Sequence, residues 1–167
     1  MEIGLCLGSN LGNRLANLQQ ARAEIGTLSG VEMIEQSPVY ETEPVDVLPQ
    51  HADKRFLNAV LILEGLVSPW QFAAQLNTVE QRMGRIRGLD RNEPRIIDID
   101  ILFMGRMRLI DGPVTLPHPR WATRRFVVQP LCNLRPDLVL PGEARTAREV
   151  LLSLPLSPAV QLFSEEW

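Results

Sequence analysis

Residues 56 to 63, Phe-Leu-Asn-Ala-Val-Leu-Ile-Leu, are an almost continuous apolar run with one polar member, Asn58. Such a run reads as a central strand buried on both faces, and Asn58 as a ligand contact within it. Downstream, Ser68-Pro69 forms an N-cap and first-turn pair, and Phe72, Ala73, Leu76, Val79, Glu80 and Met83 recur at helical spacing until Gly84. Upstream, Glu41 to Arg55 holds two prolines, four acids and little periodicity, a loop of a length that is uncommon unless functional.

Further out, Ile3 to Leu7 is a short apolar run that ends at Gly8-Ser9-Asn10, a strand entering a turn. Leu15, Leu18, Ala21, Ile25 and Leu28 follow at helical spacing, with Gly30 as the stop. Val31 to Tyr40 suggests a second strand interrupted at Pro38. A fourth strand is Ile96-Ile-Asp-Ile-Asp-Ile-Leu-Phe103. The order strand, helix, strand, strand, helix, strand predicts an α+β fold, a ferredoxin-like (split βαβ) sandwich with additional C-terminal elements. Helices are expected on one sheet face and long loops on the other. The additions are a short hairpin around Leu109, Ile110, Val114 and Leu116, a helix over Phe126 to Leu134 started or kinked by Pro130, and a last helix opened by the capping box Thr146-Ala-Arg-Glu149. Residues 155–167 have three spaced apolar anchors and no clear class.

At 167 residues the chain is expected to be a single domain, 1–167. Its first residues carry no basic leader, and no segment approaches the roughly 20 apolar residues of a membrane helix, so the expected location is the cytoplasm and no membrane partner is expected. Cys6 and Cys132 lack metal-site spacing and read as buried thiols. A net charge of −3 argues against sequence-independent nucleic-acid binding. Lys54 is the only lysine beside sixteen arginines, and the residues around it, Asp53 and Arg55, exclude a P-loop. Phosphate contacts therefore fall to guanidinium groups, backbone amides or a metal.

Within the fourth strand, alternation places Asp98 and Asp100 on one face and Ile97, Ile99, Ile101 and Phe103 on the other. Two carboxylates about 6 to 7 Å apart at their Cα atoms repel unless a cation lies between them, and a divalent ion is the usual answer. A solvated polar face would accept Ser or Thr at lower cost. Arg82, Arg85, Arg87, Arg91 and Arg95 precede the pair, and guanidinium groups beside paired acids make sense around a polyphosphate bridged by metal. The competing reading is an exposed basic loop weakly paired with Asp90 and Glu93. Glu80 suits either a nucleotide hydroxyl or an ion pair with Arg87. In Leu116-Pro-His-Pro-Arg120, prolines frame His118 as a positioned contact, with Arg120, Arg124 and Arg125 adding charge nearby; His51 has no such frame.

These residues resemble the 6-hydroxymethyl-7,8-dihydropterin pyrophosphokinase family over about residues 1–154. The resemblance is carried by Gly8-Ser-Asn10, Pro44, Phe56-Leu-Asn-Ala59, Gly84-Arg-Ile-Arg87, Pro94-Arg-Ile-Ile-Asp-Ile-Asp-Ile-Leu102, Pro117-His-Pro119, Phe126 and Pro130-Leu131. It implies a ferredoxin-like fold and pyrophosphate transfer from ATP to a reduced pterin alcohol, with no obligate protein partner. Asp98 and Asp100 match ligands of two Mg2+ ions, and Arg85 and Arg95 match arginines of a mobile loop that assist transfer. Asn77, Glu80, Arg87, Ile101, His118 and Arg124 match the ATP side. Phe56 and Phe126 match the aromatics between which the pterin stacks, and Thr42, Pro44, Val45 and Asn58 match its polar rim. Asn92 stands where the loop often has a bulky aromatic, and Pro113 where a basic residue is common; both bear on ATP affinity. Two other functions fit paired aspartates on such a fold. A two-metal nuclease or nucleotidyltransferase requires a third acid and a basic groove, and a nucleic-acid-binding module requires exposed aromatics on its central strands.

Overall fold

The run at 56–63 becomes β4 (Phe56–Gly65), the strand on which the sheet is assembled. A computed structural model describes residues 1–44, 53–85, 94–110 and 112–167. Along one edge β4 pairs antiparallel with β1 (Glu2–Ser9), and along the other with β2 (Val31–Gln36) and β3 (Val39–Thr42) in succession. The predicted interruption at Pro38 separates β2 from β3. Ser37 keeps both aligned on β4: its N–H donates to Val60 O and its Oγ accepts from Val60 N, both at 2.9 Å. β5 (Asp98–Met104) pairs antiparallel with β1, which gives the order β5-β1-β4 followed by β2 and β3, the ferredoxin-like arrangement.

The helices depart from expectation in placement. α1 (Arg14–Ile25) and α2 (Pro69–Arg82) cover one face, where Leu5, Leu18, Leu61, Phe72 and Ile99 share a core. The other face is not left to loops: α3 (Arg125–Leu134) and α4 (Ala147–Ser153) cover part of it around Val60, Ile62, Phe103, Val128 and Leu131. Apart from Asn58, β4 is apolar from Phe56 to Leu63 because it is the strand sandwiched between both cores. α1 ends at Ile25, short of Leu28, which packs on the core from the following turn. Ser68 precedes α2 in extended conformation but makes no side-chain cap bond, whereas the capping box of Thr146 and Glu149 forms with both bonds present. Pro130 sits inside α3 rather than starting it. The expected hairpin is a single bridge between Leu109 and Leu116. Cys6 is buried and Cys132 is half-buried on α3.

Two further corrections concern strands. Phe103 does not share the face of Ile97, Ile99 and Ile101, because the register between β1 and β5 passes from Leu5↔Ile101 to Gly4↔Phe103 and leaves Leu102 as a bulge. Phe103 then packs under α3, and a Cβ on Gly4 would lie 2.2 Å from its ring, so only glycine fits opposite. Residues 155–167 also acquire a class. β6 (Val160–Ser164) pairs with β3, and Trp167 is buried, its indole N–H donating to Ser37 O at 2.7 Å while its carbonyl accepts from Arg22 and Gln36. Among the described residues no helix is long and apolar enough to cross a membrane.

Candidate active site

Directly opposed residues of antiparallel strands share a face. The register therefore sets Asp98, Gly8, Asn58 and Tyr40 in one row across β5, β1, β4 and β3. Asp100, Cys6 and Val60 form the next row on one side, and Phe56 and Thr42 the next on the other. All lie on the α3 side, beyond the part that α3 and α4 cover. Strand spacing puts Asn58 about 10 Å from Asp98. Gly8 contributes no side chain to the space between them; a Cβ there would lie 3.2 Å from Asn58 Oδ1 and 3.8 Å from Phe56.

The acidic end is held by arginines. Arg85 Nη1 donates to Asp98 Oδ1 at 2.6 Å and pairs with Glu80, and Arg95 Nη1 lies 3.2 Å from Asp98 Oδ2. Glu80 is 3% exposed and also accepts from Ile99 N at 2.8 Å, so it caps the outer edge of β5 from α2. Its carboxylate is thus engaged beneath Arg85 rather than set out for a ligand. Asn10, buried at the end of β1, accepts from Arg95 N at 2.8 Å and donates from its own N–H to Arg95 O at 3.2 Å. That clamp fixes the strand-proximal end of the arginine segment. The Gly-Ser-Asn turn was its sequence signal, although spacing alone assigned it no role.

His118 reaches the site through the bulge: its backbone N–H donates to Leu102 O at 2.8 Å. Its Nδ1 accepts from Arg120 N at 3.1 Å, which leaves the ring proton on Nε2, 3.7 Å from Asp100 Oδ2. Burial, then the charges of Arg124 and Arg120, push the imidazole down to about 4, so it is neutral at pH 7. Asp100 moves the other way. Desolvation and the charge of Asp98 push it up to about 6 against the pull of Arg124, Arg95 and Arg85. Its side chain retains 41% exposure, so its solvation is lost to crowding neighbours rather than to enclosure. Two hard oxygen donors, one of them pushed up by desolvation and by the other's charge, suit a divalent cation that takes its remaining ligands from water and substrate phosphate. Among the described residues no group of three His, Cys, Asp or Glu could hold a metal without such help.

At the other end, Asn58 Nδ2 donates to Thr42 Oγ1 at 2.9 Å, both groups 3% exposed. Its Oδ1 remains turned to the space beside Gly8. Phe56 and Phe126 are half-buried, and each carries a guanidinium over its ring, Arg95 over Phe56 at 5.9 Å and Arg124 over Phe126 at 5.5 Å. Tyr40, which spacing did not single out, donates to Asn133 Oδ1 at 2.8 Å and ties β3 to α3. Pro44 is half-buried, two residues beyond Thr42. Asn77 lies on α2 one turn before Glu80. The side chain of Ile101 is in the core under α1 and α2, on the face that strand alternation gives it. Val45, His51, Arg87, Asp90, Arg91, Asn92 and Glu93 lie outside the described residues.

Comparison with known proteins shows the family. A family model described as 7,8-dihydro-6-hydroxymethylpterin-pyrophosphokinase (HPPK) matches residues 4–136. The 2-amino-4-hydroxy-6-hydroxymethyldihydropteridine pyrophosphokinase of Synechocystis sp. is 33% identical over 162 residues, 93% of this chain and 80% of that protein. The protein of the same name from Methylorubrum extorquens is 35% identical over 150 residues, 90% and 91% of the two chains. The folic acid synthesis protein fol1 of Schizosaccharomyces pombe is 35% identical over 96% of this chain, which spans only 21% of its length. The solved structure of an HPPK-DHPS in complex with substrates superposes with a TM-score of 0.71 at 14% identity, over 91% of this chain and 45% of that one, and shows the fold.

Proposed function

The chain belongs to the 7,8-dihydro-6-hydroxymethylpterin-pyrophosphokinase family, and on that premise we propose that it transfers pyrophosphate from ATP to the hydroxymethyl group of 6-hydroxymethyl-7,8-dihydropterin and releases AMP. The carrying observation is the row Asp98–Gly8–Asn58–Tyr40, in which an acidic pole paired with arginines and a buried amide with its aromatics lie at the two ends, with only a glycine between them. A polyphosphate fits the first end and a flat heterocycle the second. Two Mg2+ ions held by Asp98 and Asp100 together with phosphate oxygens would supply charge neutralisation at the transferred group.

In this reaction the pterin alcohol oxygen forms a bond to the β-phosphorus, the bond from that phosphorus to the α,β-bridging oxygen breaks, and its electron pair leaves with AMP. The hydroxyl proton passes to solvent. Transfer of this kind is mostly positioning and charge compensation, so no strong base is needed. Arg85 and Arg95, which pair with Asp98, would bind phosphate oxygens with a divalent cation held by that carboxylate. His118 offers a neutral Nε2–H that keeps its orientation across the working pH range, because Arg120 N holds its other nitrogen. Arg124 compensates charge beside the ring that Phe126 would stack. Asn58 Oδ1 accepts from a donor on the pterin edge, while Thr42 holds the amide in that sense. Glu80 positions Arg85 and the edge of β5. The whole chain acts as one domain in this reading.

The test is to incubate the protein with the reduced pterin alcohol, ATP and Mg2+ and to identify the nucleotide formed. AMP is expected. ADP, or no turnover with fresh substrate, would remove the reading.

A further inference from the structure

Three arginines follow His118 within seven residues, and the structure treats them differently. Arg125 is captive: its Nη1 donates to Leu151 O at 3.2 Å and to Leu154 O at 3.1 Å, capping the end of α4. Arg124 is half-buried, with its guanidinium over Phe126. Arg120 is exposed, and its guanidinium makes no hydrogen bond or ion pair to any described residue. Its backbone, however, is fixed. The N–H donates to His118 Nδ1, and the carbonyl accepts from Thr123 N at 3.3 Å and from Thr123 Oγ1 at 3.1 Å in the 3-10 turn Trp121–Thr123.

Resting on the proposed function, we infer that Arg120 is a further phosphate-binding residue of the nucleotide site. The turn brings it into electrostatic range of both His118 and Arg124. Two like charges are thereby crowded together, and among the described residues no acid pairs with Arg120. A fold that holds cations in this way leaves a positive potential at the mouth of the site, which an anion relieves. In the proposed reaction the anion bound beside His118 and Arg124 is the polyphosphate of ATP. A guanidinium on a fixed backbone binds phosphate oxygens bidentately, with little ordering cost beyond its own side chain. Arg125, one residue from Arg124 but spent on α4, shows that proximity in sequence does not confer the role.

The experiment uses the full chain as wild type, Arg120→Ala, Arg120→Lys and the charge-matched control Arg148→Ala, a surface arginine of α4 that lies 3.9 Å from Asp137. Calorimetric titration with the Mg2+ complex of α,β-methylene-ATP, and separately with AMP and with inorganic pyrophosphate, reads the nucleotide side; the reduced pterin reads the other. Arg120→Ala should weaken the ATP analogue about tenfold, Arg120→Lys by less, and Arg148→Ala not at all. The slope of log affinity against log salt should become shallower in Arg120→Ala alone. Loss for AMP assigns the α-phosphate as its contact, and loss for pyrophosphate the transferred group. Arg120→Ala binding within twofold of wild type, or matched by Arg148→Ala, would overturn the inference and leave the functional reading standing. Failure of the wild type to bind the analogue would overturn both.

Discussion

On one face of β5, Ile99 and Ile101 lie in the core beneath α1 and α2, with Ile97 just before the strand; on the other, one residue out of step, Asp98 and Asp100 meet arginines and a histidine. The same seven-residue strand thus serves two environments, and the pleat insulates one from the other. The apolar face is redundant, since many residues share the work of excluding water. The acidic face has no substitute for either carboxylate. Stability and activity should therefore respond to different residues of one strand.

The largest separation is expected at adjacent positions. Asp98→Ala and Asp100→Ala should each lower kcat/KM by about three orders of magnitude or more, with unchanged circular dichroism and a Tm near wild type. Near-normal turnover in either variant would remove the metal assignment. Ile99→Ala should do the reverse, costing about 2–5 kcal/mol in urea unfolding while the molecules that remain folded keep their rate. A tenfold fall in specific activity per folded molecule would show that the two faces are coupled.

Glycines on β1 sharpen the contrast. Gly4→Ala meets the Phe103 ring and should destabilise by about 1–3 kcal/mol without touching substrate binding. Gly8→Val crowds Asn58 Oδ1 and Phe56 and should raise the pterin KM far more than it lowers Tm. Equal effects of the two on pterin KM would break the assignment of the row.

The remaining effects are smaller and depend on pH. Asp100 binds its proton more tightly folded, up to about 6, than in an unfolded chain, so the folded state holds more protons between roughly 4 and 6. Metal-free stability should accordingly fall as pH rises through that window, and Mg2+ should raise Tm more at pH 8 than at pH 5. A metal effect independent of pH would contradict the charge pairing. His118, pushed down to about 4, contributes in the opposite direction: its contribution to stability is full above its unfolded value near 6.5 and is lost as pH falls from there through about 4. The least change is thus expected here, with no break in the activity profile near pH 6.5 and an NMR midpoint for its ring protons below 5. A midpoint near 6.5 would mean that the ring is more solvated than this geometry requires.

Most of the architecture was readable in the chain because each element carries its own period. The unbroken run of β4, the helical spacing of α2, the interruption at Pro38 and the capping box of α4 are local patterns with local causes. The tail was not readable, since Val160–Ser164 is too short to declare itself and becomes a strand only because β3 offers it an edge. Nor was the second helical layer placed correctly; order along the chain does not say which face a C-terminal helix will cover. Within the site, the aspartates and clustered arginines stood out because charge amid apolar residues is costly. Asn10, Tyr40 and the edge-capping of Ile99 by Glu80 did not, because ordinary polar residues show their purpose only through their partners.

The sequence by itself determined the strand and helix order, the acidic pair and the polar exception in β4, because hydrophobic period and the cost of buried charge are properties of neighbouring residues. Only the tertiary structure decided that Asp98 and Asn58 share a row with Gly8 between them. It alone turned Phe103 away from the isoleucines, tied His118 to Leu102 at the bulge and separated Arg120 from Arg125. These are matters of register and of which partner arrives, and both depend on strands distant along the chain.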